Sequence, residues 1–352
     1  MEWSVRIRHY SFSRKERAEM ELILADKTLR DIRQIADADV DIDIGGDNDY
    51  EIKIPYEAWK DDLDFGNVIY IPGTEYGGII GEVNTNTELN TVSMLGRTWR
   101  GSLDKKVIQP PSGQDYKKVS GELNTVLSGL IEEQFGNYFV VSSEDTGVNV
   151  NDYQFERYCT LLYGIEKMLK SVGHRIQIKY VQQERGQPGY VEVAAVPIVD
   201  YSNEIELSQD SEINFTFKNK RNGVNHLICL GKGELQERQV IHLYVQEDGT
   251  IGNTQYYKGV EEIAEVYENT SAETEELREN GVEKLRELMN STDFQMDVAS
   301  IGINVDIGDI IGGRDYITGL YAAKPITEKI YKITDGKESI EYSIEGDDEQ
   351  GN

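Results

Sequence analysis

Val305-Asp306-Ile307-Gly308-Asp309-Ile310-Ile311 closes an apolar run, and two further runs, Tyr321–Tyr331 and Glu338–Glu345, follow it. Both alternate apolar and polar side chains, which is how a strand with one buried face reads. Gly312-Gly313-Arg314-Asp315 and Thr334-Asp335-Gly336-Lys337 supply turn residues between them. Residues 293–346 are therefore expected to be the closing strands of a small β-barrel.

Working outward, residues 1–110 also read as β almost throughout. Trp3–His9, Met20–Ala25, Leu29–Ile35, Val40–Ile44, Tyr50–Ile54, Asn67–Ile71, Gly78–Asn84 and Thr91–Leu95 are short, mostly alternating segments broken by turn residues. Such spacing predicts a first barrel or sandwich, ending near Pro110-Pro111. Residues 111–205 switch period. Apolar side chains recur at helical spacing over Val119–Phe135 and Tyr153–Ser171, and His174–Gln182 and Tyr190–Pro197 read as a hairpin, giving a small α+β domain. Residues 206–258 return to β as part of a second barrel. Residues 259–292 read as a helical segment: Ile263, Val266 and Tyr267 lie on a short first helix, Leu277, Val282, Leu285, Leu288 and Met289 on a second, with a capping box at Thr270 and Glu273. Residues 347–352 form an acidic tail without apolar residues.

Composition narrows the function. With 38% apolar residues in 352, the chain can bury a real core. A formal charge of −28 argues against a nucleic-acid-binding surface, because phosphate contacts need clustered Lys and Arg. No apolar run is long enough to cross a membrane as a helix, and Met1-Glu2-Trp3-Ser4-Val5 does not begin a secretory signal, so the chain is expected to be made and kept in the cytosol, or to leave it only by lysis. Cys159 and Cys229 read as reduced structural thiols.

No catalytic, cofactor-binding or metal-ligating constellation is expected. Gly231-Lys232-Gly233 lacks the third glycine or the Lys-Ser/Thr pair of a nucleotide loop and reads as a turn between strands. His9, His174, His226 and His242 show no zinc-site spacing, although His226 and His242 can face each other across a hairpin. No G-x-S-x-G is present. Asp37, Asp39, Asp41 and Asp43 alternate with Ala38, Val40, Ile42 and Ile44, so period two places the four aspartates on one strand face. That face either lines a lumen with negative potential or is a solvated outer face that blocks edge-to-edge association.

Three blocks carry a resemblance: Leu95-Gly96-Arg97-Thr98-Trp99-Arg100-Gly101-Ser102-Leu103-Asp104-Lys105-Lys106-Val107-Ile108, Gly223–Leu235, and Val305–Gly346. In this order the chain resembles the siphovirus-type tail-hub, or baseplate-hub, family of phages, prophages and phage-tail-like bacteriocins. The resemblance implies a mainly β chain with an α+β insertion, whose two tube-like β-barrel domains form a homotrimeric pseudo-sixfold ring. Such a ring joins the hexameric tail tube to a trimeric spike or tail tip, whether the tail is contractile or not. Its implied partners are the tube protein, the spike or tail-tip protein and the tape-measure protein, at a virion tail tip or baseplate assembled in the bacterial cytoplasm, with DNA passing through the lumen unbound and no stable membrane insertion. Alternatives are a receptor- or carbohydrate-binding tail module and, behind it, a peptidoglycan-acting tail enzyme.

Overall fold

The computed structural model describes residues 21–184, 186–202, 206–207, 214–220, 222–289, 291–297, 305–314, 317–319 and 321–344. The strand expected at Trp3–His9 and the tail at 347–352 lie outside them. In chain order the elements open with β1 (Ile23–Ala25), β2 (Asp31–Gln34), β3 (Asp39–Ile44), β4 (Asp49–Pro55), β5 (Val68–Tyr70), β6 (Gly77–Asn86) and β7 (Thr91–Thr98). Next come α1 (Trp99–Asp104), β8 (Lys118–Glu122), α2 (Leu123–Phe135), β9 (Phe139–Val141), β10 (Asn149–Gln154), α3 (Leu161–Lys170), β11 (His174–Val181) and β12 (Tyr190–Pro197). The remainder comprises β13 (Glu206–Leu207), β14 (Asn214–Lys220), β15 (His226–Leu230), β16 (Val240–Val245), β17 (Ile251–Gly252), β18 (Ala264–Glu268), α4 (Thr274–Leu288), β19 (Ser291–Asp297), β20 (Ile310–Arg314), β21 (Tyr321–Thr334) and β22 (Lys337–Ile344). The fold is thus mainly β with an α+β insertion, as the sequence predicts.

The chain divides into two units, the first comprising Met1–Glu204, Val298–Ile311 and Pro325–Ser343. Its main sheet runs β21-β3-β4-β7-β6-β5-β1-β2, with β22 on β21. Alternation along the strands builds the core: Val40, Ile42 and Ile44 of β3 and Tyr50, Ile52 and Ile54 of β4 are buried, while their neighbours in sequence face outward. A second core joins Leu127, Ile131, Ile165 and Leu169 of the helices to Ile176, Ile178, Val191 and Val193 of the β11–β12 hairpin. The Trp99-Arg100-Gly101 stretch explains itself here. Trp99 is fully buried, Arg100 Nε donates to Glu75 at 2.5 Å and one of its amino groups donates to Glu166 at 2.7 Å. A Cβ at Gly101 would lie 2.3 Å from the Asn48 carbonyl oxygen.

Two expectations change. Residues 293–346 were expected to close a second barrel, yet Lys329–Ile333 of β21 pair antiparallel with β3, opposite Ile44 through Val40. Alternation identifies a strand and its buried face but carries no information about which distant strand it pairs with. A barrel also needs every strand to have two neighbours, and the described strands form open sheets without a closed ring of pairs.

The second unit comprises Ile205–Asp297, Gly312–Lys324 and Ile344–Asn352. Its sheet runs β17-β16-β15-β18, and α4 buries Leu277 and Leu285 in a core with Leu227, Cys229 and Leu243. β14 pairs with β19, and β13 runs parallel to β20. The first helix expected within 259–292 is instead the strand β18, parallel to β15 with Val266 opposite Ile228. Three apolar residues at i, i+3 and i+4 do not separate a helical turn from an exposed strand. The capping box at Thr270 is replaced by Glu273 at the N-cap, without a side-chain cap bond. Both cysteines are free thiols.

Candidate functional site

β3 and the strands on either side position the acidic residues. Asp39, Asp41 and Asp43 share the face opposite Val40, Ile42 and Ile44, as period two requires. Asp37 stands apart: it precedes the strand in the left-handed region, with φ 53°. Antiparallel register sets Asp41 opposite Glu51 of β4 and opposite Lys332 of β21. Lys332 in turn donates to Glu341 at 2.8 Å. These cross-strand neighbours were invisible in the sequence, because register with a distant strand decides them.

The aspartates differ in what they do. Asp43 accepts from the backbone N–H of Gly46 at 3.0 Å and of Asp47 at 3.3 Å, closing the β3–β4 turn. Asp39 accepts from the Asp335 N–H at 3.1 Å. Asp41 has no such duty: partial burial pushes its carboxyl above the ordinary value, Lys332 opposes this, and Glu341, Asp43 and Glu51 add to it. Glu328 is pushed up as well, by burial first, against the bond that Ser343 donates to it, and by the adjacent Asp43. The face is therefore acidic, with Lys332 and Lys53, the latter opposite Asp39, set among its carboxylates.

The Val305–Asp309 stretch holds a buried ionic clamp. Asp309 is 1% exposed, and its carboxylate accepts from Arg175 Nε at 2.8 Å, the Arg175 amino group at 3.1 Å, and the backbone N–H groups of Val199 and Asp306 at 3.0 Å each. Lys329 donates to Asp306 at 2.9 Å. Burial pushes the Asp306 carboxyl up, but Lys329 and Arg175 outweigh it and hold it below the ordinary value. Gly308 sits between the two aspartates at φ 94°, where a Cβ would lie 3.1 Å from that of Arg175. The sequence marks this stretch, whereas its partner Arg175 lies far away in the hairpin.

In the second unit His226 and His242 do face each other, with His226 Nε2 2.9 Å from His242 Nδ1 and His226 Nδ1 2.6 Å from Glu262. A neutral His226 that donates to Glu262 must accept from His242. Gly231-Lys232-Gly233 forms the predicted turn, with Gly231 N–H donating to Gln239 and Gln239 N–H to Lys232. Among the described residues no group of three or more His, Cys, Asp or Glu side chains is placed to hold a metal ion.

No protein-family model matches the chain, and no curated protein matches it in sequence. Solved structures do match in fold. The 43 kDa tail protein of prophage MuSo2 from Shewanella oneidensis superposes with a TM-score of 0.51 at 13% identity, over 93% of this chain and 98% of that one. A chain of the phage P2 baseplate, in its activated conformation with Ca, superposes with a TM-score of 0.50 at 9% identity, over 93% and 99%. Each superposition spans nearly the whole of both chains, and the chain thus shares its fold with phage tail and baseplate proteins.

Proposed function

We propose that this chain is a structural hub at the distal end of a phage or phage-like tail, where it joins the hexameric tail tube to a trimeric spike or tail tip. The observation that carries this reading is the near full-length fold correspondence with a prophage tail protein and a baseplate protein. A homotrimer is the assembly that fits, because repeated chains close into a ring through heterologous interfaces. In this role the chain works without catalysis. The acidic face of β3 lines the passage and repels phosphate over about one Debye length, ~8 Å at physiological salt.

Cryo-electron microscopy of assembled particles carrying a tagged chain tests the reading. The expected result is three copies at the tube tip, below the last tube ring and above the spike. Any other copy number, or a position along the tube wall, would sink it. Two further outcomes favour the alternatives: saturable binding of the isolated chain to host cells indicates a receptor-binding module, and turnover of cell-wall sacculi abolished by one Asp or Glu substitution indicates an enzyme.

A further inference from the structure

A cavity of about 440 Å³ lies between the end of α2 and strands β6 and β7 in the first unit, and Ile79, Arg97, Lys106, Phe135, Tyr138 and Phe139 line it. Its floor is aromatic: the Phe135 and Phe139 rings lie 4.7 Å apart, and those of Tyr138 and Phe139 5.7 Å. Of its polar side chains Ser102 donates to the Thr98 carbonyl at 3.1 Å, whereas those of Arg97, Lys106 and Tyr138 have no acceptor among the described residues. Neither Arg97 nor Lys106 pairs with a carboxylate among the described residues, and the Lys106 ammonium rests 5.0 Å from the centre of the Phe135 ring. The Tyr138 hydroxyl is buried without a hydrogen-bond partner. Lys105, also lining the cavity, is exposed and only loosely tied to Asp104 at 3.7 Å.

Unpaired cations over an aromatic floor call for an occupant with carboxylates and an apolar body, and this volume suits one or two side chains. Because Arg97 and Lys105 carry positive charge out to the exposed rim, the matching ligand is an extended segment and not a compact molecule held inside. We propose that this cavity receives an acidic peptide segment of a partner protein, with an aromatic side chain against Phe135, Tyr138 and Phe139 and neighbouring carboxylates on Arg97 and Lys106. The assignment stands on these residues and is independent of the tail-hub reading.

The test is fluorescence anisotropy of the full chain with a dye-labelled, end-capped peptide Glu-Phe-Asp-Glu, its uncharged counterpart Gln-Phe-Asn-Gln, and 3-phenylpropionate as a small-molecule competitor. Saturable binding of the acidic peptide is expected, weaker as salt rises. Arg97→Gln with Lys106→Gln should weaken it by about tenfold or more, and Arg97→Gln alone, at an exposed position, by severalfold. Circular dichroism establishes that the double variant folds, and Arg97→Gln alone carries the test if it does not. The proposal is overturned if the acidic peptide does not saturate, if the uncharged peptide binds equally, or if either variant binds as tightly as the wild type. It is equally overturned if 3-phenylpropionate binds as tightly as the peptide, since the site then belongs to a small carboxylate.

Discussion

At Asp309 one buried carboxylate accepts four hydrogen bonds, two of them from Arg175. Removing one partner of a buried pair leaves the other charge uncompensated, which costs about 3–5 kcal/mol. Asp309→Ala should therefore lower the urea midpoint sharply, whereas Glu88→Ala, at an exposed position, should stay within about 0.5 kcal/mol of the wild type. Equal midpoints for the two variants would show that the clamp adds nothing to stability. Glu122 offers a pH test. Its carboxylate accepts from the Thr125 N–H at 2.8 Å, the Thr146 N–H at 3.0 Å and the Thr146 hydroxyl at 2.7 Å. Burial pushes this carboxyl up, but those bonds win and bring it down to about 2. Because its folded value lies below the ordinary one, its contribution to stability is complete above about pH 4.5 and is lost as the pH falls toward 2. The gap in stability between wild type and Glu122→Gln should accordingly be constant near neutrality and narrow below pH 4.5. A gap that widens on acidification would contradict the assignment. The sequence shows neither the Arg175 nor the Thr146 partner, because each arrives from a separate element.

Elements with strong local signals were legible, and their ends were not. The helix expected from Val119 begins at Leu123, because Lys118–Glu122 pairs with β10 and Glu122 supplies the cap. The helix expected from Tyr153 begins at Leu161, behind Thr160, whose hydroxyl accepts from the Tyr163 N–H at 3.3 Å. In both places apolar spacing runs on into the preceding strand, and only its pairing partner marks the change. Alternation placed Val40, Ile42 and Ile44 inward correctly and put three of the four aspartates on one face, but the strand starts too late to include Asp37. Two helical glycines separate propensity from packing. Gly129 of α2 is exposed with open space around it, so Gly129→Ala should stabilise by about 0.5–1 kcal/mol. At Gly281 of α4 a Cβ would lie 2.5 Å from Cys229 Sγ and 3.0 Å from Leu243, so overpacking should outweigh the same propensity gain. Thermal unfolding should move in opposite directions for the two variants. A shared upward shift would mean that the α4 interface is loosely packed.

For the whole molecule, the net charge of −28 and the fold's likeness to tail proteins frame the test of the acidic face. Asp43 and Asp39 hold backbone groups and Asp37 lies off the strand, so a clean test alters Asp41 only. If the face lines the passage, Asp41→Lys should leave the chain folded and the particles assembled. Ejection should then slow, most strongly at low salt, because a lysine in each copy there holds passing phosphate. Normal low-salt ejection from particles containing the variant would place the aspartates on the outside. The pairing of β21 with β3 has another consequence. The Asp335–Asp39 hydrogen bond spans 296 positions of chain, so the first strands leave the ribosome long before the segment that completes their sheet. Until then β3 presents an unsatisfied edge to solvent, and closure must wait for a loop of nearly the whole polypeptide. Translation itself thus sets the earliest moment at which this sheet can be completed.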